Sequence, residues 1–341
     1  MRAALLKNWE QLELTDLPKP VAGEGEALIK VIYGGVCGSD ISVYQGHHLT
    51  AKAPVVLCHE ILGTIETLPE GYNGPFSVGQ RVVMNPVISC GHCAACRSGY
   101  ANACSNLELL GIHVNGGFEE YTKVAADKLV AVNDELPDMV ATLSEPFAVG
   151  YHVNTRAGTK PGMKVLVVGS GTIGLVLAHT AREFGAEVHV SEMNADRLAI
   201  AERFDFHTVN VRDKDIMEYM NEVTDGAGFD AIFDTSGAKV TALQMPDLCR
   251  VGGVLISMGL SGKVYEFVIG KVSFKEQKLI GSRLYSQEDF ENGVGVLNSL
   301  AKKYDMTQMI SDFMPLSEIQ PAIDKMMKQE NLGKILIDCS K

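Results

Sequence analysis

The sequence has no apolar run long enough to span a bilayer as a helix, although 46% of its 341 residues are hydrophobic. It has no basic tract either. Thirty lysines and arginines face 42 acidic residues for a net charge of −12, which argues against nucleic acids and anionic membrane surfaces as partners. The opening Met1-Arg-Ala-Ala-Leu-Leu-Lys7 reads as a first strand and lacks the apolar segment and cleavage site of a secretory signal, so a cytoplasmic protein is expected. The first part of the chain also lacks internal repeats and low-complexity segments. What is left is a globular chain long enough for about two domains with substantial cores.

Against those absences stand eight cysteines, four of them crowded between Cys90 and Cys104. In a reducing compartment such a cluster signals metal before disulfides. Cys90-x2-Cys93-x2-Cys96-x7-Cys104 supplies four thiolates, enough to close a tetrahedral zinc site without water. A closed shell of that kind is structural.

A second pattern lies at Lys164-Val-Leu-Val-Val-Gly-Ser-Gly-Thr-Ile-Gly174. Val165 to Val168 reads as a strand buried on both faces, and Gly169, Gly171 and Gly174 follow in G-x-G-x-x-G spacing. Leu175 to Phe184 carries helical periodicity, and the free N–H groups at that helix start, with Thr172 and Ile173 in the turn before it, would face a pyrophosphate. The next strand, Glu187 to Ser191, runs into Glu192, near the distance at which an acid grips an adenosine ribose. Upstream of Glu145 the pattern is of short strands, all-β and barrel-like. Beyond it βα alternation sets in, as in a doubly wound sheet, and a last strand at Lys334 to Asp338 is expected to return to the first domain.

Cys37, His59, Glu60 and Glu145 offer one thiolate, one imidazole and two carboxylates. Mixed ligands of this kind, with room for an exchangeable position, suit a catalytic zinc.

These residues resemble the zinc-dependent medium-chain alcohol dehydrogenases, in the branch with sorbitol, threonine and sugar-acid dehydrogenases. The resemblance runs essentially end to end. It rests on Gly35-Val-Cys-Gly-Ser-Asp40, His59-Glu60-x2-Gly63, the four-cysteine lobe, Gly117-Phe-x-Glu-Tyr121, Ser144-Glu-Pro-Phe147 and the glycine fingerprint. It implies an α/β chain: a GroES-like barrel over 1–149 and 284–341, and a Rossmann domain over 150–283. It implies two zinc ions and NAD. Cys37, His59 and an acid would bind the catalytic ion, and Ser39 would pass a proton outward. Glu60 can ligate directly in that branch, while Glu145 either ligates or holds the water; Glu60 is expected to be the resting ligand. Glu192 favours NAD over NADP by repelling a 2′-phosphate. Arg197 would cover the adenine, and Ser236 and Gly259 complete the expected cofactor contacts.

Glu145 stands where the ethanol-active branch has a cysteine, so a polyol or a sugar acid of the L-gulonate or L-galactonate type is the expected substrate. A sugar acid wants an arginine, and Arg283 follows the last strand of the nucleotide domain, where it would reach either substrate or cofactor phosphate. His113 and Phe118 lie in a loop that relatives place near the pocket. A homodimer or homotetramer is expected. Three departures stand out: Cys58 replaces the glycine before the His-Glu pair, Pro69 a small residue, and Ser42 a relay histidine, leaving His47, His48 or bulk water for the outer step. A threonine-type dehydrogenase and a zinc- and NAD-binding regulator without turnover are the competing readings.

Overall fold

One long strand, Glu26–Val36, organises the first part of the chain. It pairs antiparallel with Glu60–Thr67, Tyr121–Ala125 and Lys334–Asp338, and sits inside a seven-stranded sheet completed by Arg81–Met84, Leu129–Ala131 and Ile310–Pro315. The alternation over Glu26 to Tyr33 reads as half-buried, yet Ala27, Leu28, Ile29 and Val31 are all buried, because three partners surround the strand. The computed structural model describes residues 1–258 and 267–341. The chain forms two compact units, Met1–Glu145 with Ser286–Lys341, and Pro146–Tyr285. Among the described residues no helix is long and apolar enough to cross a membrane.

The run Val55 to Glu60 reads as one strand but is split in two. Cys58 has φ of 85°, a left-handed conformation that a side-chain-bearing residue adopts at a cost. Val55–Val56 therefore pairs with Arg2–Asn8, and a separate strand begins at Glu60 and pairs with the long strand. That break delivers His59 and Glu60 to the end of Glu26–Val36.

The second unit is a six-stranded parallel sheet in the order His207–Asn210, Glu187–Glu192, Lys164–Val168, Phe229–Asp234, Cys249–Ser257, Lys278–Gly281. Numbered along the chain this is 3-2-1-4-5-6, the Rossmann arrangement, with its switch point beside the strand that carries the glycine fingerprint. Val165, Leu166 and Val167 are fully buried, as their unbroken apolar run requires.

One buried acid in the first unit fits no motif. Glu119 is 2% exposed, and its Oε2 has no hydrogen-bond partner among the described residues. Burial pushes its carboxyl from 4.5 up to about 8, against a smaller opposing pull from Thr122. The unfolded chain thus ionises Glu119 near pH 4.5 while the folded one keeps it protonated to about 8, and stability falls as pH rises through that window. Glu119→Gln is expected to flatten this decline in pH-dependent denaturation and to gain on the parent as pH rises through the window.

Candidate functional site

The long strand ends at Val36, and Cys37 caps the short helix Gly38–Tyr44. Gly35 opposes Glu60 in the strand register, and a Cβ on Gly35 would lie 2.2 Å from Glu60 Oε2. Glycine is what leaves room for that carboxylate. One donor atom each from Cys37, His59 and Glu60 lies within 4.8 Å of the others. Thiolate, imidazole and carboxylate at such separations fit a zinc ion at ordinary bond lengths of about 2.0–2.3 Å. Glu60 is fully buried, and its Oε2 has no hydrogen-bond partner among the described residues, a donor kept for a cation.

Two further residues shape this donor set. Asp40 is fully buried and accepts the backbone N–H groups of Cys37 at 2.8 Å and Cys58 at 3.2 Å, so one carboxylate fixes both segments that carry ligands. Its Oδ1 is 3.7 Å from His59 Nδ1, close enough to act on the ring through its charge but too long for a hydrogen bond. Ser39 Oγ lies 3.4 Å from the other ring nitrogen, Nε2. Lys334 Nζ sits 2.6 Å from Glu60 Oε1 and 3.2 Å from the Val36 carbonyl, itself buried. The local field is strongly anionic. Burial alone would push the His59 pKa down, but Cys37, Asp40 and Glu145 together hold it well above its ordinary value. Such a field suits a dication.

Glu145 is 6% exposed in the first turn of Ser144–Ala157 and acts on His59 through its charge, but it is not among the three clustered donors. His113 is tied into its own loop: Nδ1 accepts the Leu109 N–H at 3.1 Å and Nε2 is 2.8 Å from Thr50 Oγ1. His48, a relay candidate, likewise spends Nδ1 on the N–H groups of Thr50 and Ala51. Phe118 is fully buried, its backbone bonded to Ala4 and Leu57 and its ring close to Gly34. It is packed into the core of the first unit.

The four cysteine sulfurs of the lobe also lie within 4.8 Å of one another. Backbone amides point at them: Cys93 N–H at Cys90 Sγ, Cys90 N–H and Asn106 N–H at Cys104 Sγ, and Cys96 N–H at Cys93 Sγ, each at 3.3–3.5 Å. The Cys96 N–H, with Ser105 next, draws the Cys93 thiol down to about 5. Burial, then the neighbouring cysteine sulfurs, pushes Cys96 up. Thiolates packed this closely call for a cation between them.

In the second unit, Gly169 has φ of 96°, and a Cβ on Gly174 would stand 1.8 Å from the Gly169 carbonyl oxygen, so the helix Thr172–Glu183 packs tightly on its strand. A Cβ on Gly171 would meet nothing within 4 Å, the open approach a pyrophosphate needs. Glu192 does more than its position in the sequence implies. Oε1 accepts the N–H groups of Met193 and Asn194, and Oε2 accepts the N–H and hydroxyl of Ser170, tying the glycine turn to the end of the next strand. Ser236 donates its N–H and hydroxyl to Asp234 and shapes the turn after Phe229–Asp234. Arg197 is half-buried in the first turn of Ala195–Arg203, capped by Asn194, and Arg283 is exposed just past Lys278–Gly281. Gly259 lies outside the described residues. Glu192→Ala is expected to narrow the preference for NAD over NADP by about 10-fold or more, through lost ribose contacts and lost repulsion of a 2′-phosphate, read as the ratio of the two kcat/KM values.

Two family models match the chain: an alcohol dehydrogenase GroES-like domain over residues 23–134 and a zinc-binding dehydrogenase domain over residues 172–299. A sorbitol dehydrogenase of Halalkalibacterium halodurans is 34% identical over 324 residues, covering 94% of this chain and 93% of its own. An L-galactonate-5-dehydrogenase of Escherichia coli is 34% identical over 283 residues, with 83% and 81% covered. An Escherichia coli alcohol dehydrogenase solved with NADH superposes with a TM-score of 0.91 at 27% identity, covering 99% of both chains.

Proposed function

Because the chain belongs to the zinc-type medium-chain alcohol dehydrogenases, with their GroES-like and Rossmann domains, we propose that it oxidises a secondary hydroxyl of a polyol or sugar acid with NAD. The observation that carries this reading is the clustered trio of half-buried Cys37 with buried His59 and Glu60, with one unpartnered carboxylate oxygen, in a chain that also holds a glycine-fingerprint sheet. Cys37, His59 and a carboxylate would hold a zinc ion that would supply Lewis acidity toward an alcohol, and NAD bound at the glycine turn would supply the hydride acceptor. The residues do the rest. Asp40 acts on the His59 ring through its charge and joins the two ligand segments. Ser39 Oγ, beside His59 Nε2, takes the hydroxyl proton and passes it outward. Glu192 holds the glycine turn in shape and selects against a 2′-phosphate.

The polyol or sugar-acid class is supported by Glu145 in place of a cysteine and by relatives named for sorbitol and L-galactonate. Arg283 is the proposed partner of a substrate carboxylate. Assembly as a homodimer or homotetramer is supported by the edge strand Lys278–Gly281 with exposed Leu279, and by exposed Ile269 and Phe274. The test is a panel of polyols, aldonates and L-threonine with NAD, followed by absorbance of the reduced nicotinamide. Turnover of sorbitol-type or aldonate substrates is expected. Turnover of L-threonine alone would replace this reading with the amino-alcohol one, and binding of NAD and zinc with no turnover would favour the regulator.

A further inference from the structure

Three asparagines of the chain are followed directly by glycine: Asn73, Asn115 and Asn292. Such a pair is chemically labile, because the backbone nitrogen after the asparagine can attack the side-chain carbonyl and glycine has no side chain to hinder it. The fold treats the three pairs differently. Asn115 and Gly116 are both tied to Val56: Asn115 Oδ1 accepts the Val56 N–H at 3.1 Å, and the Gly116 N–H donates to the Val56 carbonyl at 2.8 Å. Asn292 lies inside the helix Gln287–Ala301 with Gly293 buried, so the helical ladder engages the Gly293 N–H. Asn73 and Gly74 are exposed, in the connection between Glu60–Thr67 and Arg81–Met84. Neither the Asn73 side chain nor the Gly74 N–H has a hydrogen-bond partner among the described residues. Glycine at 74 also serves the packing of this loop, since a Cβ there would lie 2.2 Å from the Tyr72 hydroxyl oxygen.

We propose that Asn73 is a site of spontaneous covalent modification, and that the fold confines this reaction to it. The Gly74 nitrogen gives its proton to water or hydroxide and bonds to the side-chain carbonyl carbon of Asn73. The bond from that carbon to the side-chain nitrogen breaks, and the nitrogen takes up a proton and leaves as ammonia. Water then opens the five-membered imide at one of its two carbonyls. One opening gives aspartate; the other gives isoaspartate, in which the main chain runs through the former side-chain carbon. Water is the only co-reactant, and no electrons change hands. Each event replaces a neutral amide with a carboxylate and makes a chain of net charge −12 more acidic. At Asn115 the same attack requires both bonds to Val56 to open first, so it is expected to run about 10-fold or more slowly. At Asn292 a turn of the helix has to unwind.

The test is a timed incubation of the intact native protein in warm, mildly alkaline buffer. Peptide mapping by mass spectrometry follows each asparagine, and anion exchange follows the charge of the whole chain. The peptide holding Asn73 is expected to gain the mass of an amide turned to acid and to separate into aspartate and isoaspartate forms. Peptides holding Asn115 and Asn292 should stay unchanged over the same period. The chain in denaturant is the reference, and there all three pairs are expected to convert at comparable rates, because the selection lies in the fold. Asn73→Gln should keep a single charge form while the parent accumulates a more acidic one. Conversion of Asn115 or Asn292 as fast as Asn73 in the native protein would overturn the inference. So would an Asn73 that stays intact in the native protein while converting in denaturant, or an Asn73→Gln variant that turns acidic at the parent rate.

Discussion

Cys37→Ala is expected to lower turnover by about 1000-fold or more while leaving the fold and the lobe ion in place. A Lewis acid contributes several kcal/mol to ionising a bound alcohol, and each 1.4 kcal/mol or so is tenfold in rate. In the proposed site the thiolate is one of two negative ligands, and among the described residues no other sulfur joins His59 and Glu60 in the cluster. The fold is expected to survive because the backbone at this point is fixed independently of the side chain. Asp40 accepts the N–H of residue 37, and the strand before it has partners on both sides. Metal analysis should find the count falling from two ions per chain to one, with a melting temperature close to the parent. A variant that keeps both ions and its turnover would remove Cys37 from the site.

Cys93→Ser should do the opposite: it should damage structure first and activity only as a consequence. Cys93 is held down to about 5, chiefly by the Cys96 N–H, and it caps the short turn Ala94–Arg97. No residue in that turn is buried, so no apolar core holds it together. On the proposed reading an ion on the four cysteines holds this turn, and structural zinc contributes folding free energy outright. Loss of that ion is expected to lower the melting temperature by about 5 °C or more and to expose the lobe to proteolysis. The catalytic ion should remain bound in intact molecules. Limited digestion with metal analysis reads both outcomes.

The features legible in the sequence are those whose meaning is carried by local spacing. Four cysteines within one lobe, and a glycine fingerprint between an apolar run and a helix, specify their geometry within a dozen or so residues, as the tight contact of Gly174 with Gly169 illustrates. Asp40 was accessible in part, since it stands three residues after Cys37 at the spacing of a capping interaction. Its second bond, to the Cys58 N–H, depends on the left-handed turn at Cys58, which breaks an apolar run that otherwise reads as one strand. Lys334 carried no signal at all. Its meaning depends on strand Lys334–Asp338 pairing beside Glu26–Val36, a contact made across almost the whole chain. The packing of Phe118 against Gly34, and its backbone bond to Leu57, are equally invisible in its motif, because both come from segments distant in sequence.

The most direct test of the whole account is to strip the exchangeable ion by mild chelation and return zinc in steps. At each step bound zinc, melting temperature and turnover with the best substrate of the panel are measured. Two ions per chain are expected in the native enzyme, with turnover lost together with the first ion removed, little change in melting, and recovery complete at one equivalent returned. Turnover that persists after the Cys37, His59 and Glu60 site has lost its ion would contradict the account.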